Sequence, residues 1–477
     1  MQGPRTRRWG TPSAPHESSI AAQLAAFCAE LRFADLPRAP VERAKELLLD
    51  FLGVCFRGMD TESSQAAVRS IRALSPPGAA SILGDPTGAP AAWAALANGT
   101  AAHALEMDDV TARSSLHPGV AVFPAALALS EELGSRAEDL LVAVAAGYEV
   151  TMRVGNALNA ASAYRRGFHP TGVAGAFGAA AASATLLRLD AERTAHALGV
   201  AGTMAAGSLE YLSDGSWTKR LNAGWAAHCG VVAARLAAAG FTGPSTAIEG
   251  PLGLLRGHSD SPLAAEATAG LGAELQLMRV SIKPYACCRY NHGLIDCVLQ
   301  IRRGHEIALE DVEEIRLGVL SGGALLVAEP IEQKRAPRNV VDAQFSAAFA
   351  AAIALARGGA GYRDYCLAAV DDPVIRGLMQ KVSCYRDAKL DAAYPDHWPA
   401  AVMIRLRDGT TLEARQPDPL GSPENPVDRA GLEEKFGQLV DRPFAPEVAR
   451  QVWSLPEGSV DAILRPFIPA SEVGSSS

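Results

Sequence analysis

Four stretches of the chain place ionisable side chains beside the predicted start of a helix or the end of a strand. They are His103–Asp109 with the following His117-Pro118, then Phe168-His169-Pro170, Thr218-Lys219-Arg220 and Lys283–His292. Histidine exchanges protons near neutral pH, whereas lysine and arginine hold carboxylates through charge-assisted hydrogen bonds. Together the four stretches predict proton chemistry next to the carboxylates of a small acid.

The Arg166–Gly178 stretch is the centre of this interpretation. Pro170 disfavours a helical backbone at His169 and suits the first turn of a helix, so His169 is predicted at a helix N-terminus. His117-Pro118 repeats the arrangement. Two interpretations follow from the residues alone. The histidine either caps a core helix, or it hydrogen-bonds and exchanges protons with a bound anion.

Carboxylates and cations surround these histidines in the sequence. Three carboxylates lie within four positions inside an apolar neighbourhood, at Glu106, Asp108 and Asp109. They form either an acidic helix end or part of a site. Lys219 and Arg220 precede a predicted buried helix, where paired cations oppose the helix dipole. An anionic partner would explain these cations, and solvated surface cations are the alternative.

The Lys283–His292 stretch runs from a predicted strand into a predicted helix and includes Arg289. Its cations either lie in water or join the same site. The histidines lack metal-ligand spacing, because no His-x-x-x-His occurs, and no glycine-rich phosphate loop follows a strand. The sequence therefore predicts no metal and no nucleotide cofactor.

Length and composition bound the class of protein. The 477 residues are 48% hydrophobic and 20% charged, which is typical of a globular protein of two domains. The net charge of −8 argues against a nucleic-acid surface. The eight cysteines form no Cys-x-x-Cys pair and suit a reducing compartment, and no segment resembles a membrane span or a secretory signal. We expect a cytoplasmic protein without nucleic-acid or membrane partners.

The hydrophobic period divides the chain. It is helical from Ile20 to about Gly272, and strands and helices follow. The predicted elements include helices Ala91–Met107, Pro118–Leu133, Gly172–Leu187 and Asp342–Ala356, strands Leu277–Lys283 and Val312–Val319, and a hairpin around Asp408-Gly409. We predict a mainly α fold, with a large all-helical domain and a smaller α+β lid domain inserted before the C-terminal helices. The predicted boundaries are a flexible arm at 1–19, the helical domain at 20–276, the lid at 277–416, returning helices at 417–465 and a flexible tail at 466–477.

The motifs resemble those of the MmgE/PrpD family, in the family's order, over about Ile20 to Ser454. The segments that carry the resemblance are Glu106-Met-Asp-Asp, His117-Pro-Gly, Gly167-Phe-His-Pro-Thr-Gly, Thr218-Lys-Arg with the following Gly224-Trp-Ala-Ala, and Lys283–His292. The resemblance implies a large helical domain, a smaller α+β lid, usually a homodimer, and no required cofactor.

Members of that family include 2-methylcitrate dehydratase, cis-aconitate decarboxylase and iminodisuccinate epimerase. The resemblance therefore implies a cofactor-independent lyase for a small di- or tricarboxylic acid, with dehydration of a 2-methylcitrate-like hydroxy acid as the first expectation. Decarboxylation of a cis-aconitate-type acid and epimerisation of an iminodisuccinate-type acid are the alternatives. A non-catalytic acid-binding protein is the rival from another class.

The resemblance also implies roles for individual residues. It assigns catalysis to His117, His169, His292 and Glu106, and substrate binding to Lys219, Arg289, Asp109 and Thr111. Three positions depart from the family pattern. Glu106 stands where many members have Asp, Val110 separates Asp109 from Thr111, and Phe349 stands where the decarboxylase has an active-site Tyr.

Overall fold

The computed structural model describes residues 19–469, so residues 1–18 of the arm predicted at 1–19 and the last eight residues lie outside it. The fold is mainly α with a small sheet-containing domain, which confirms the predicted class. Among residues 19–469, no helix combines the length and apolarity that crossing a bilayer requires.

In the described part of the chain, twelve α-helices precede residue 277. They are α1 (Ile20–Glu30), α2 (Arg38–Gly58), α3 (Glu62–Leu74), α4 (Ala91–Ala102), α5 (Gly119–Leu133), α6 (Ala137–Leu158), α7 (Ala160–Arg165), α8 (Pro170–Leu186), α9 (Ala191–Met204), α10 (Tyr211–Asp214), α11 (Thr218–Ala238) and α12 (Leu254–His258). Helices α6, α8 and α11 pack closely because their contact faces are made of small residues. A Cβ on Gly230 of α11 would lie 2.3 Å from the Cβ of Ala179 in α8, so only glycine permits this approach.

The second half of the chain mixes helices and strands. Its helices are α13 (His292–Gly304), α14 (Ser321–Val327), α15 (Ile331–Lys334), α16 (Val340–Gln344), α17 (Ala347–Arg357), α18 (Leu367–Val370), α19 (Pro373–Gln380), α20 (Ala388–Asp391), α21 (Arg429–Val440), α22 (Ala445–Trp453) and α23 (Val460–Leu464). The strands among residues 19–469 are β1 (Val110–Thr111), β2 (Val280–Ser281), β3 (Val312–Val319), β4 (Val382–Arg386), β5 (Ala400–Leu406) and β6 (Thr411–Gln416).

A four-stranded sheet with the order β4-β3-β5-β6 forms the centre of the small domain. Ile315, Leu317 and Val319 of β3 are buried on one face, as their alternation predicts. Strands β5 and β6 form the predicted hairpin, in which Gly409 takes a φ of 90°. Strand β4 was not predicted, because it pairs with β3 in parallel and no hairpin turn marks it in the sequence.

Three predicted elements are shorter than expected. The helix predicted over Ala91–Met107 ends at Ala102, and the predicted strand Leu277–Lys283 is reduced to Val280–Ser281. The helix predicted over Asp342–Ala356 is two helices, because the Ser346 hydroxyl accepts the Phe349 N–H and so starts a new helix at Ala347. In an alanine-rich segment the sequence pattern does not reveal such an internal cap.

The C-terminal helices pack on α2 and extend the helical core. Phe436 of α21 and Val452 of α22 are buried in the same hydrophobic cluster as Leu48 of α2. Packing reaches further than the predicted tail boundary at residue 466. Phe467 is buried against Phe56, because its ring fills a hydrophobic gap and its carbonyl accepts the Gly84 N–H at 3.0 Å.

Candidate active site

The connection between α4 and α5 carries the carboxylates of the site. It continues from α4 at His103, and Glu106 takes a φ of 57°, which is uncommon for a residue with a side chain. Strand β1 at the end of this connection pairs with β2, with Val110 opposite Ser281. This pairing sets Lys283, two residues beyond Ser281, beside the carboxylates.

Two carboxylates and two lysines form a buried charged centre. The Lys219 ammonium donates a hydrogen bond to Glu106. Lys283 Nζ lies 3.6 Å from Glu106 Oε2 and 3.5 Å from Asp108 Oδ1, and its side chain is fully buried. The two negative charges balance the two positive ones, which offsets the cost of removing all four groups from water.

The lysines decide the ionisation of the two carboxyl groups. Burial alone would raise the pKa of Glu106, but Lys219 and Lys283 outweigh it and bring that pKa down to about 2. For Asp108, burial is likewise outweighed, by His117 and Lys283, and its pKa falls well below the ordinary value. Both groups are therefore carboxylates at neutral pH.

Three histidines surround Asp108. His103 Nδ1 and His117 Nδ1 each lie 2.8 Å from Asp108 Oδ2. The His103 ring is 4.8 Å from the His117 ring and stacks on the His169 ring at 5.6 Å. Burial lowers the pKa of all three imidazoles, that of His117 to about 4, so they are neutral at pH 7.

His169 occupies the position that its Pro170 predicts. It is the N-cap residue of α8, with an extended backbone, and Pro170 is the first residue of the helix. Its side chain makes no capping hydrogen bond to α8, so the capping interpretation has no contact to support it. The ring instead lies against His103 and Tyr211.

A cavity of about 450 Å³ lies beside this centre, between the Tyr211–Gly215 segment and residues 332–345 of the small domain. Two of its lining side chains contact the cluster. The Tyr211 ring lies 6.0 Å from the His169 ring, and Lys219 Nζ lies 5.1 Å from the centre of the Phe345 ring. The volume suits a small di- or tricarboxylic acid.

Buried polar atoms without protein partners lie in the same cluster. His103 Nε2, Asp108 Oδ1 and Lys283 Nζ make no hydrogen bond to the protein among the described residues. Buried polar atoms are nearly always hydrogen-bonded in proteins. Of the three, the Lys283 ammonium can donate to the oxygens of a bound acid, whereas the ionised Asp108 Oδ1 and His103 Nε2, whose ring proton faces Asp108 from Nδ1, are acceptors.

By residue type, His103, Asp108 and His117 are also the residues that could hold a metal ion, with ligand atoms within 4.8 Å of one another. The ammonium of Lys283, 3.5 Å from Asp108 Oδ1, already supplies positive charge to that carboxylate and would repel a divalent cation. We therefore interpret these three side chains as groups that exchange protons and pair with the lysine, and not as metal ligands.

The structure brings His117, His169, Glu106 and Lys219 together, and it places the other predicted site residues elsewhere. Arg289 donates to Ser422 Oγ at 2.6 Å and to the carbonyls of residues 419 and 420, and it also contacts His292 Nδ1 at 3.2 Å. His292 Nε2 lies 3.3 Å from the Cys287 carbonyl. Both side chains thus have partners in the small domain.

Asp109 and Thr111 also lie outside the cluster. Asp109 accepts the Gly119 N–H at 2.9 Å and the Tyr148 hydroxyl at 2.6 Å, so both carboxyl oxygens face the start of α5. Thr111 in β1 lines a separate cavity of about 500 Å³. Arg220, the neighbour of Lys219 in sequence, donates to Ser63 Oγ at 2.7 Å. Of this pair, Lys219 joins the cluster and Arg220 does not.

Sequence reasoning missed three members of the cluster, His103, Asp108 and Lys283. All three belong to stretches that it singled out. The choice between Asp108 and Asp109 depends on the direction of a two-residue strand, and Lys283 joins the site through the pairing of β1 with β2. Both features depend on tertiary contacts, so the local sequence does not reveal them.

Asp109→Asn is expected to gain stability relative to the native protein as the pH rises from about 4 to about 8. Burial raises the pKa of Asp109 from its ordinary 3.8 to about 7, so the folded protein holds a proton that the unfolded chain has lost. The native protein therefore loses stability over this interval, by up to about 4 kcal/mol. Urea unfolding of both proteins across the interval measures the difference.

Tyr148→Phe is the control for this measurement, because it removes the hydroxyl that hydrogen-bonds Asp109 and leaves the carboxyl group in place. Its stability should still fall as the pH rises, over an interval that extends to higher pH, because the Tyr148 hydroxyl lowers the pKa of Asp109. Parallel stability curves for Asp109→Asn and the native protein would contradict the prediction.

Fold and site together define a mainly helical protein with a buried histidine–carboxylate–lysine centre beside a small sheet-containing domain. The sequence matches the MmgE/PrpD N-terminal domain over residues 22–266 and the MmgE/PrpD C-terminal domain over residues 285–455. The chain belongs to the MmgE/PrpD family.

Relatives of known name span nearly the whole chain. A cis-aconitate decarboxylase-like protein of Aspergillus oryzae is 29% identical over 452 residues, which cover 90% of this chain and 92% of that protein. Cis-aconitate decarboxylases of Aspergillus terreus and Homo sapiens are 27% and 28% identical, with 92% and 88% of this chain and 94% and 87% of those proteins covered. These relatives place the chain among enzymes of a lyase family.

Proposed function

We propose that the protein is a cofactor-independent lyase for a small di- or tricarboxylic acid. The observation that carries the proposal is the buried cluster in which Lys219 and Lys283 adjoin neutral histidines at a cavity. The ammonium groups would hold substrate carboxylates through charge-assisted hydrogen bonds. A histidine would move a proton at the carbon next to one of these carboxylates.

Decarboxylation of a cis-aconitate-like acid is the first candidate. It is supported by relatives that carry that name at 27–29% identity over about nine-tenths of this chain. Phe349 stands where the decarboxylase has an active-site Tyr. Its side chain is fully buried and packs on Tyr365 in the core of the small domain. In this reaction the bond to the leaving carboxylate breaks, carbon dioxide departs, and the electron pair left on carbon takes a proton from an imidazole, which must first take up that proton from solvent because the histidines are neutral at rest.

Dehydration of a 2-methylcitrate-like hydroxy acid is the second candidate. It is favoured by the neutral state of His117 at rest, because a proton must first be removed from carbon and a neutral imidazole is ready to accept it. The electron pair of the broken C–H bond then forms a double bond as the hydroxyl departs and is protonated to water. Glu106, in place of the decarboxylase Asp, also supports a difference in substrate.

Proton NMR in deuterated water, with cis-aconitate, 2-methylcitrate, citrate and iminodisuccinate supplied separately, tests the proposal. Loss of carbon dioxide from cis-aconitate supports the first candidate, and formation of an unsaturated acid from a hydroxy acid supports the second. Deuterium exchange at a carbon-bound hydrogen without net loss indicates an epimerase. Binding of these acids without turnover would contradict the proposal and indicate a binding protein.

Lys219→Met is expected to raise KM for the best substrate strongly, because it removes a charge-assisted contact worth about 1.5–3 kcal/mol. Steady-state kinetics measure the change. Arg220→Met is the matched control, since the neighbouring guanidinium donates to Ser63 and should leave KM unchanged. An unchanged KM in Lys219→Met would show that this ammonium serves only to balance Glu106.

A further inference from the structure

The proton positions on His117 and His169 can be derived from their hydrogen-bond partners. A neutral imidazole carries one N–H, and the partner of one ring nitrogen determines which nitrogen is protonated. The catalytic meaning of these tautomers rests on the proposed function. The tautomers themselves follow from the hydrogen-bond partners of the two neutral rings.

His117 faces acceptors at Nδ1. The Asp109 carbonyl oxygen and Asp108 Oδ2 each lie 2.8 Å from this nitrogen. Neither oxygen can donate, because Asp108 is ionised and the other is a carbonyl. His117 therefore carries its proton on Nδ1, and Nε2 has a free electron pair.

His169 faces a donor at Nδ1. Asn222 Nδ2 lies 3.3 Å from this nitrogen and 3.2 Å from the Ser208 carbonyl oxygen. The carbonyl fixes the orientation of the Asn222 amide, because the reversed amide would direct its oxygen at another acceptor. The NH₂ group therefore faces His169, whose Nδ1 accepts and whose proton lies on Nε2.

The backbone around Asn222 holds this arrangement in place. The His169 N–H donates to the Gly207 carbonyl at 3.0 Å, and Phe168 pairs with Ser208, so the Ser208 carbonyl stays beside the ring. Helices α8 and α11 approach closely here, since a Cβ added to Gly172 would lie 3.2 Å from the Cβ of Asn222. Asn222 is one turn beyond Lys219 on α11, so one helix serves both the cation and the histidine.

We propose that Asn222 is a positioning residue that holds the proton of His169 on Nε2, while Asp108 and the Asp109 carbonyl hold that of His117 on Nδ1. The two histidines then present opposite groups to the substrate. His117 offers a basic Nε2 that exchanges a proton with carbon. His169 offers an Nε2–H that donates a hydrogen bond to a substrate oxygen on which negative charge develops.

Nitrogen NMR of protein labelled with ¹⁵N-histidine tests the tautomers directly. The His117 and His169 signals are assigned by their loss in His117→Gln and His169→Gln. We expect the native protein at neutral pH to show protonated Nδ1 in His117 and protonated Nε2 in His169. Asn222→Asp replaces the donor with an acceptor and should move the His169 proton to Nδ1 or add a second proton, with His117 unchanged. The same tautomer in both histidines of the native protein would overturn the proposal.

Kinetics test the consequence for turnover. Asn222→Leu should lower kcat by roughly tenfold to a hundredfold, the range found for residues that orient ligating histidines, with a nearly unchanged melting temperature. In a His169→Gln background the same substitution should have almost no further effect on kcat, because Asn222 acts through His169. Independent, multiplying losses would contradict that role.

The two kinds of failure are distinguishable. A protein that turns over none of the acids counts against the proposed function, whereas the nitrogen spectra still decide the tautomers. Turnover with the wrong tautomers counts against the role of Asn222 alone.

Discussion

His117→Gln is expected to lower kcat by about 10²–10⁴-fold, with little change in melting temperature. The imidazole Nε2 is a free base in the tautomer assignment, and a glutamine amide cannot exchange a proton with carbon. The amide can still donate to Asp108 or to the Asp109 carbonyl, so the hydrogen bonds that hold the connection between α4 and α5 have a replacement. Steady-state kinetics and thermal unfolding of the same preparation separate the two effects.

His258→Gln is the matched control. His258 is a partly buried histidine that packs on Phe168, the neighbour of His169, and its Nδ1 hydrogen-bonds the Leu254 carbonyl. It has no contact with the charged cluster among the described residues, so its replacement should leave kcat unchanged. A stable and fully active His117→Gln protein would remove His117 from the reaction.

Lys283→Met is expected to destabilise the folded protein by about 3–5 kcal/mol at neutral pH. The substitution removes one of two cations from a buried centre and leaves the Glu106 and Asp108 carboxylates with a charge in excess. Chemical denaturation at pH 7 measures the loss. A Lys283→Met protein as stable as the native one would show that solvent or movement of the chain relieves this charge.

The pH dependence and a second substitution sharpen this test. In the native protein Lys283 helps to depress the pKa of both carboxyl groups, whose ionised forms add stability above the ordinary carboxyl pKa and lose it as the pH falls. The deficit of the variant should therefore shrink on acidification. Adding Asp108→Asn to Lys283→Met removes the excess charge and should recover part of the stability.

The sequence predicts the architecture well where one signal dominates. Long helical periods predict α5 and α8 nearly to the residue, and Asp408-Gly409 predicts the hairpin. It fails where a local cap or a tertiary contact decides. Ser346 divides a continuous alanine-rich pattern, and the parallel pairing of β4 with β3 joins residues about 70 positions apart in sequence.

The site shows the same division. The His-Pro pairs announce His117 and His169, because proline fixes the backbone on either side of it. Nothing local distinguishes Asp108, which faces the lysines, from Asp109, which faces Tyr148. The tautomers are even less predictable from the sequence, because they depend on the Ser208 carbonyl, which orients the Asn222 amide.

Lys435 of α21 links the end of the chain to the charged centre. Its ammonium donates to the Met107 carbonyl, between Glu106 and Asp108, and pairs with Asp50 of α2. During synthesis the carboxylate segment leaves the ribosome long before this lysine does. The nascent chain therefore carries an incompletely supported carboxylate segment until α21 has been made.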